Sequence, residues 1–142
     1  MNLSLEARPP MAQCVILLVD DEKTVLDSLC AQLGRLYAGS VECELAESAA
    51  EAWEVLDELH ADRVRVVVVV SDWLMPGQRG DEFLAEVRAR YPKIGRVMLT
   101  GQADPDALAR ARDEAEVHRI LFKPWRLEEL QSAIGQAMAA SS

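Results

Sequence analysis

Four short stretches put reactive side chains directly behind runs of aliphatic residues. "LLVDDE" (17–22) brings Asp20 and Asp21, "VVVVVSDWLMPG" (66–77) brings Asp72, "VMLTG" (97–101) brings Thr100, and "LFKPW" (121–125) brings Lys123. Like charges about 4 Å apart repel by roughly 4 kcal/mol at an effective dielectric near 20. Asp20 and Asp21 therefore need a compensating cation, or must splay into water. If Asp72 converges on them, three carboxylates share one cleft, which suits a hard divalent cation with oxygen ligands. Magnesium fits best, because it accepts a few carboxylates plus waters and leaves room for a phosphoryl oxygen. Lys123 adds a mobile positive charge and Thr100 a hydroxyl. Together these groups make a site for phosphoryl transfer with Asp72 as the nucleophile.

Such a site needs elements that carry residues distant in sequence to one rim. "CVILLV" (14–19) and "VRVVVVVS" (64–71) read as strands buried on both faces, and "RVMLT" (96–100) and "HRILFK" (118–123) as two more. "VECELA" (41–46) alternates and predicts a half-exposed edge strand. Between the strands run helical stripes. The first is Val25, Leu26, Leu29, Cys30, Leu33 and Leu36; the second is Ala49, Ala52, Trp53, Leu56 and Leu59. Phe83, Leu84, Val87 and Tyr91 form a third, and Leu127, Leu130, Ile134 and Met138 the last. A fourth helix, capped by Asp104 and opened by Pro105, has only the thin stripe Ala107, Leu108, Ala111 and Ala115. Ser48 with Glu51 predicts a capping box on the second helix. Five strands alternating with five helices predict an α/β domain with a parallel sheet, right-handed crossovers and helices on both faces. Ligands of such sheets sit beyond the carboxyl ends of the strands, where Asp20, Asp21, Asp72, Thr100 and Lys123 are delivered.

Composition narrows the function classes. The chain has 142 residues, half of them hydrophobic, enough for one domain with one core. A formal charge of −9 argues against general affinity for nucleic acid or anionic membrane. Cys14, Cys30 and Cys43 have no paired spacing and read as small core hydrophobes in a reducing, cytoplasmic setting. No apolar run is long enough to span a bilayer. Residues 1–12 read as a flexible leader, 13–140 as the domain and 141–142 as a tail.

The motifs "LLVDDE", "VVVSDWLMPGQRGDEFL", "VMLTG" and "LFKPW" resemble, in order, the receiver domain of two-component response regulators. The resemblance covers roughly residues 13–140, and the "KPW" is similar to a subgroup found in larger regulators. It implies a flavodoxin-like fold with strand order 2-1-3-4-5. It also implies that Asp72 accepts phosphate from a histidine kinase or a histidine phosphotransfer protein. Asp21 then holds magnesium directly, Asp20 largely through water, and the backbone carbonyl of Leu74 is a further ligand. Thr100 matches the switch hydroxyl, Lys123 the phosphoryl-contacting lysine, and the Lys123–Pro124 bond is expected to be cis. The implied output is a protein partner on the face of the fourth helix, fifth strand and fifth helix, with a homodimer as one option. No direct nucleic-acid or membrane contact is implied, and no enzymatic activity beyond self-catalysed phosphorylation and dephosphorylation.

The sequence departs from the pattern at Ile120, where many receivers carry an aromatic, and at Gly101, where alanine is usual. The terminal "AMAASS" leaves open a single-domain regulator or a piece of a longer one. Two other readings compete: a magnesium-dependent aspartyl-phosphate phosphatase and a phosphate-independent interaction module. The phosphatase group that this chemistry resembles carries a second aspartate where this chain has Leu74. Glu22 reads as a helix-start acid, Trp53 as core, and Trp73 as flanking the site. Trp125 is read equally as a partner contact or as packing on the sheet end. His60 and His118 read as surface or strand-edge residues, and "RARDEAEVHR" (110–119) as a solvated helix face. Leu74 and Gln102 are expected to flank the path of an attacking water.

Overall fold

A computed structural model of the chain describes residues 14–102 and 104–141. The leader expected over 1–12 lies outside the described residues. The elements alternate as expected: β1 Cys14–Val19, α1 Lys23–Tyr37, β2 Glu42–Ala46, α2 Ala49–Ala61, β3 Arg65–Asp72, α3 Gly80–Arg90, β4 Gly95–Thr100, α4 Pro105–Asp113, β5 Arg119–Phe122 and α5 Leu127–Ala140. All pairings are parallel and the order is β2-β1-β3-β4-β5. The expected Lys123–Pro124 cis bond is present. No described helix is long and apolar enough to cross a membrane.

Strand alternation sends side chains to two cores. Ile16, Leu18, Val68 and Val70 pack with Leu26, Leu29 and Leu33 of α1 and with Leu130, Ala133 and Ile134 of α5. Leu17, Val19 and Val69 pack with Leu56 of α2, with Phe83, Leu84 and Val87 of α3, and with Ala107 and Ala111 of α4. α1 and α5 bring leucines and an isoleucine to the first core, whereas the buried side chains of α4 are the small Ala107 and Ala111, with Leu108 only partly buried beside them. Burying a leucine is worth about 1.5–3 kcal/mol and an alanine far less, so α4 is the least firmly seated helix by apolar contact.

Local chemistry sets the boundaries. Ser48 accepts from the Glu51 amide at 3.1 Å, as the capping box requires. The Glu51 carboxylate, however, takes the amide of Glu47, one residue upstream of the expected partner. Asp104 caps α4 through the Asp106 amide at 3.1 Å. At the end of α2, Arg63 turns left-handed (φ 60°) and the Val64 amide bonds the Leu59 carbonyl, so β3 starts at Arg65 and not at Val64. Leu127, expected in the stripe of α5, is exposed instead, and Ala133 and Ala137 take up the packing. Ser141 closes α5, and its carbonyl accepts from Arg65 at 3.1 Å.

Candidate functional site

The strand order places β1 between β2 and β3, so the residues after β1 and the last residue of β3 meet at one rim. Carboxylate oxygens of Asp20, Asp21 and Asp72 lie within 4.8 Å of one another. Asp20 and Asp72 are buried while Asp21 is exposed. Register does the rest: Asp72 sits beside Leu99, and Thr100 beside Phe122. Thr100 and Lys123 therefore arrive at the same rim. A cavity of about 410 Å³ opens there, lined by Asp21, Asp72, Leu74, Thr100, Gln102 and Lys123 among others. All six residues singled out from sequence thus surround one space: five of them line it, and Asp20 is buried beneath.

Lys123 ties the cluster together. Its Nζ lies 3.0 Å from Asp20 Oδ2 and 3.0 Å from Asp72 Oδ1, with Glu22 Oε1 farther off at 3.8 Å. Asp20 also accepts from the Glu22 amide at 2.8 Å through its other oxygen. Asp20 thereby makes a local turn bond to the N-cap residue, just ahead of the first turn of α1. Glu22 itself makes no side-chain cap bond. Burial pushes the Asp72 carboxyl up to about 6; the bond from Lys123 opposes this, and the charges of Asp20 and Asp21 add to it. Burial alone would lower the Lys123 pKa, but its bonds to Asp72 and Asp20 win and hold it raised. The ammonium therefore stays charged through the neutral range.

The Thr100 hydroxyl is occupied elsewhere. It donates to the Gln102 carbonyl at 2.7 Å and accepts from the Gln102 amide at 3.0 Å. Gly101, between them, would meet no atom within 4 Å if it carried a Cβ, so its small size is not forced by packing here. The glycine at the start of α3 is forced. A Cβ on Gly80 would collide with the carbonyl of Asp72, and the Gly80 amide donates to the Trp73 carbonyl at 2.6 Å. The end of β3 and the first turn of α3 are thereby in backbone contact.

Other expectations resolve by contact. Trp53 is core-side, edge-on to Phe83 at 5.5 Å with the Arg90 guanidinium over its face at 4.6 Å. Trp73 is buried and lines the cavity. Trp125 packs on the α1/α5 core and donates to Gln32 Oε1 at 2.8 Å, so the packing reading holds. His60 is exposed beside Tyr91. His118 lies at the start of β5, where its Nδ1 accepts the Arg96 amide at 3.0 Å. The solvated reading of 110–119 needs correction, because Arg110 reaches inward to buried Asp81 at 2.5 Å. The three cysteines are free and only partly buried, at the margin of the core.

Two features escaped the sequence reading. Asp81 is a charged residue buried in the first turn of α3. Arg96 is buried at the start of β4, its guanidinium donating to the carbonyls of Ala115, Ile94, Pro92 and Glu116. A charged residue at an element's start is ordinarily solvated, and no local pattern marks these two as exceptions.

The donor set fits magnesium: three clustered carboxylates, all hard oxygen donors, and Leu74 on the cavity wall. Comparison with known proteins agrees with the fold. Residues 16–135 match the response regulator receiver domain family. The chain is similar to the hydrogenase transcriptional regulatory protein HoxA of Cupriavidus necator, 32% identical over 135 residues, covering 90% of this chain and 25% of that protein. It is also similar to the chemotaxis protein CheY1 of Helicobacter pylori strain J99, 32% identical over 122 residues, covering 84% of this chain and 92% of that one. Among solved structures, the signal receiver domain of an HD domain-containing protein from Pseudomonas fluorescens Pf-5 superimposes with a TM-score of 0.78 at 34% identity, covering 89% of this chain and 95% of that one. The chain thus spans about a quarter of the length of HoxA but nearly all of CheY1.

Proposed function

The chain belongs to the response regulator receiver family of two-component systems, and on that basis we propose that it is a switch driven by phosphorylation of Asp72. The observation that carries this reading is the position of Lys123, 3.0 Å from both Asp20 and Asp72 inside a cluster of three carboxylates. Asp20, Asp21, Asp72 and the Leu74 carbonyl are the groups that would hold magnesium. The metal supplies positive charge for the phosphoryl oxygens.

The donor is a phosphohistidine on a histidine kinase or phosphotransfer protein. A carboxylate oxygen of Asp72 attacks phosphorus; the new O–P bond forms as the P–N bond breaks. The electron pair stays on the imidazole nitrogen, which takes up a proton. Burial of Asp72 favours this role, since a poorly solvated carboxylate is the stronger nucleophile once ionised. Lys123 holds the acceptor in place beforehand and keeps a charge near the phosphoryl oxygens afterwards. Thr100 must break its two Gln102 bonds before its hydroxyl can turn to the phosphorylated residue. That links chemistry to the β4–α4 loop and so to the face of α4, β5 and α5. Phe122 and Leu127, large and exposed on and beside that face, give a protein partner its apolar contacts. Leu74 and Gln102 flank the space from which water would remove the phosphate. The activity is therefore self-limited phosphate acceptance and not turnover of a separate substrate. In a longer regulator like HoxA, the same switch would act on a domain beyond this chain.

Phosphoramidate with magnesium is expected to add one phosphoryl group to the protein, read by intact-mass spectrometry. An equal adduct on Asp72→Asn would overturn the acceptor assignment, and no adduct on the wild type would overturn the switch.

A further inference from the structure

The helix least secured by apolar packing is tied down by a buried charge. Asp81, in the first turn of α3, has no exposed side-chain surface, and the Arg110 guanidinium of α4 reaches it at 2.5 Å. Arg79 holds the other Asp81 oxygen at 3.3 Å and also contacts Glu82 at 3.1 Å. We propose that the Asp81–Arg110 ion pair is a releasable latch that sets the position of α4 against α3. This rests on the phosphorylation reading for its trigger, though not for its resting state.

Three observations make the pair a latch and not only a brace. First, both ends connect to moving parts. Asp81 follows Gly80, whose backbone abuts that of the acceptor Asp72, and Arg110 lies on the helix that begins just after the Thr100–Gln102 turn. Second, Arg110 has somewhere else to go. The charges of Asp104 and Asp106 already act on it, and Asp106 stands four residues earlier on the same helix, the spacing of a helical ion pair. Third, release does not strand a bare buried charge. Removing the only partner of a buried ion is strongly unfavourable, but Arg79 stays on Asp81 when Arg110 leaves. The proposed latch alternates between the Arg110–Asp81 pair seen here and Arg110 paired on its own helix. The pull of Thr100 on the β4–α4 loop selects between them. Ile120, in β5 beside α4, is a branched aliphatic without a long lever, so an ionic tie is an apt carrier of the signal here.

The test is amide hydrogen exchange, with and without magnesium and beryllofluoride as the phosphoryl mimic. In the free wild type, amides of α4 are expected to be protected, and the mimic should speed their exchange by about tenfold. Arg110→Gln should raise α4 exchange in the free protein to that level and shrink the response to the mimic, with β1 and β3 unchanged. Asp81→Asn, which keeps the side-chain volume, should do the same, and it serves should Arg110→Gln fold poorly. Wild-type α4 exchange in free Arg110→Gln overturns the latch, as does a rise spread equally over β1 and β3. Failure of the parent reading looks different: the phosphoramidate adduct is missing, whatever α4 does.

Discussion

Asp72 is the residue whose chemistry is most exposed to measurement, because burial favours its protonated form while the proposed attack needs it ionised. Burial raises its carboxyl from an ordinary 3.8 to about 6, against the pull of Lys123. The folded chain then binds this proton more tightly than the unfolded chain. Its contribution to stability is full below about pH 4 and is lost as pH rises through about 6. The loss amounts to at most about 3 kcal/mol, given ~1.4 kcal/mol per pKa unit. In chelator, Asp72→Asn removes that slope. Urea unfolding of variant and wild type is therefore expected to diverge in the variant's favour between pH 4 and 6, then run parallel. Curves that stay parallel across that window would show that Asp72 is not held in a poorly solvated site. Thr100 shows the complementary economy: its hydroxyl is already satisfied twice by Gln102, so turning to a phosphoryl group exchanges bonds and does not create them from nothing.

At the scale of elements, the sheet end opposite the site is fastened by one side chain. Arg96 donates to the carbonyls of Ala115 at 2.8 Å, Ile94 at 2.6 Å, and Pro92 and Glu116 at 3.3 Å each. It thereby joins the α3–β4 connection to the α4–β5 connection. Its charge survives burial, since burial and the neighbouring Arg88 lower its pKa from a very high starting value. Arg96→Leu leaves those carbonyls without donors, at a cost of about 2–4 kcal/mol by the usual penalty for unmet buried groups. Arg96→Lys should recover less than half, because an ammonium cannot span carbonyls set around a planar fork. Denaturant midpoints with unchanged slopes would measure both, and equal stability of Lys and Arg at 96 would overturn the fork argument. Arg96 also marks where sequence reading stops. The strands and the rim residues were legible because long aliphatic runs, caps and Pro105 are local signals, whereas the strand order followed only from the family resemblance. Asp20, Asp21, Asp72, Thr100 and Lys123 were legible because they follow those runs. Arg96, Asp81 and Arg110 were not, because each depends in part on a carbonyl or charge 19 to 29 positions away. A lone charged residue carries no sign of such partners.

For the molecule as a whole, the rim is an imbalance of charge that a bound cation would offset. Three carboxylates, two of them buried, against one ammonium leave two negative charges there, part of the chain's net −9. The proposed magnesium ion would balance that sum, and it would bind only the folded chain, where the strand order brings the acids together. Linkage then requires magnesium to stabilise the fold, by about 2.7 kcal/mol at a hundred times its dissociation constant. For a domain of this size that is a rise of several degrees in Tm. The same binding would reverse the pH behaviour of Asp72, since the ion rewards the ionised carboxylate. The loss of stability between pH 4 and 6 should vanish or change sign when magnesium replaces chelator. Asp21 is exposed and its charge opposes that of Asp72, so Asp21→Asn should leave the metal-free Tm equal or slightly higher and abolish most of the magnesium gain. Scanning calorimetry at pH 7 and pH 5, with magnesium or chelator, covers both expectations. If millimolar magnesium fails to raise the wild-type Tm, or raises Asp21→Asn equally, the carboxylates are not sharing an ion.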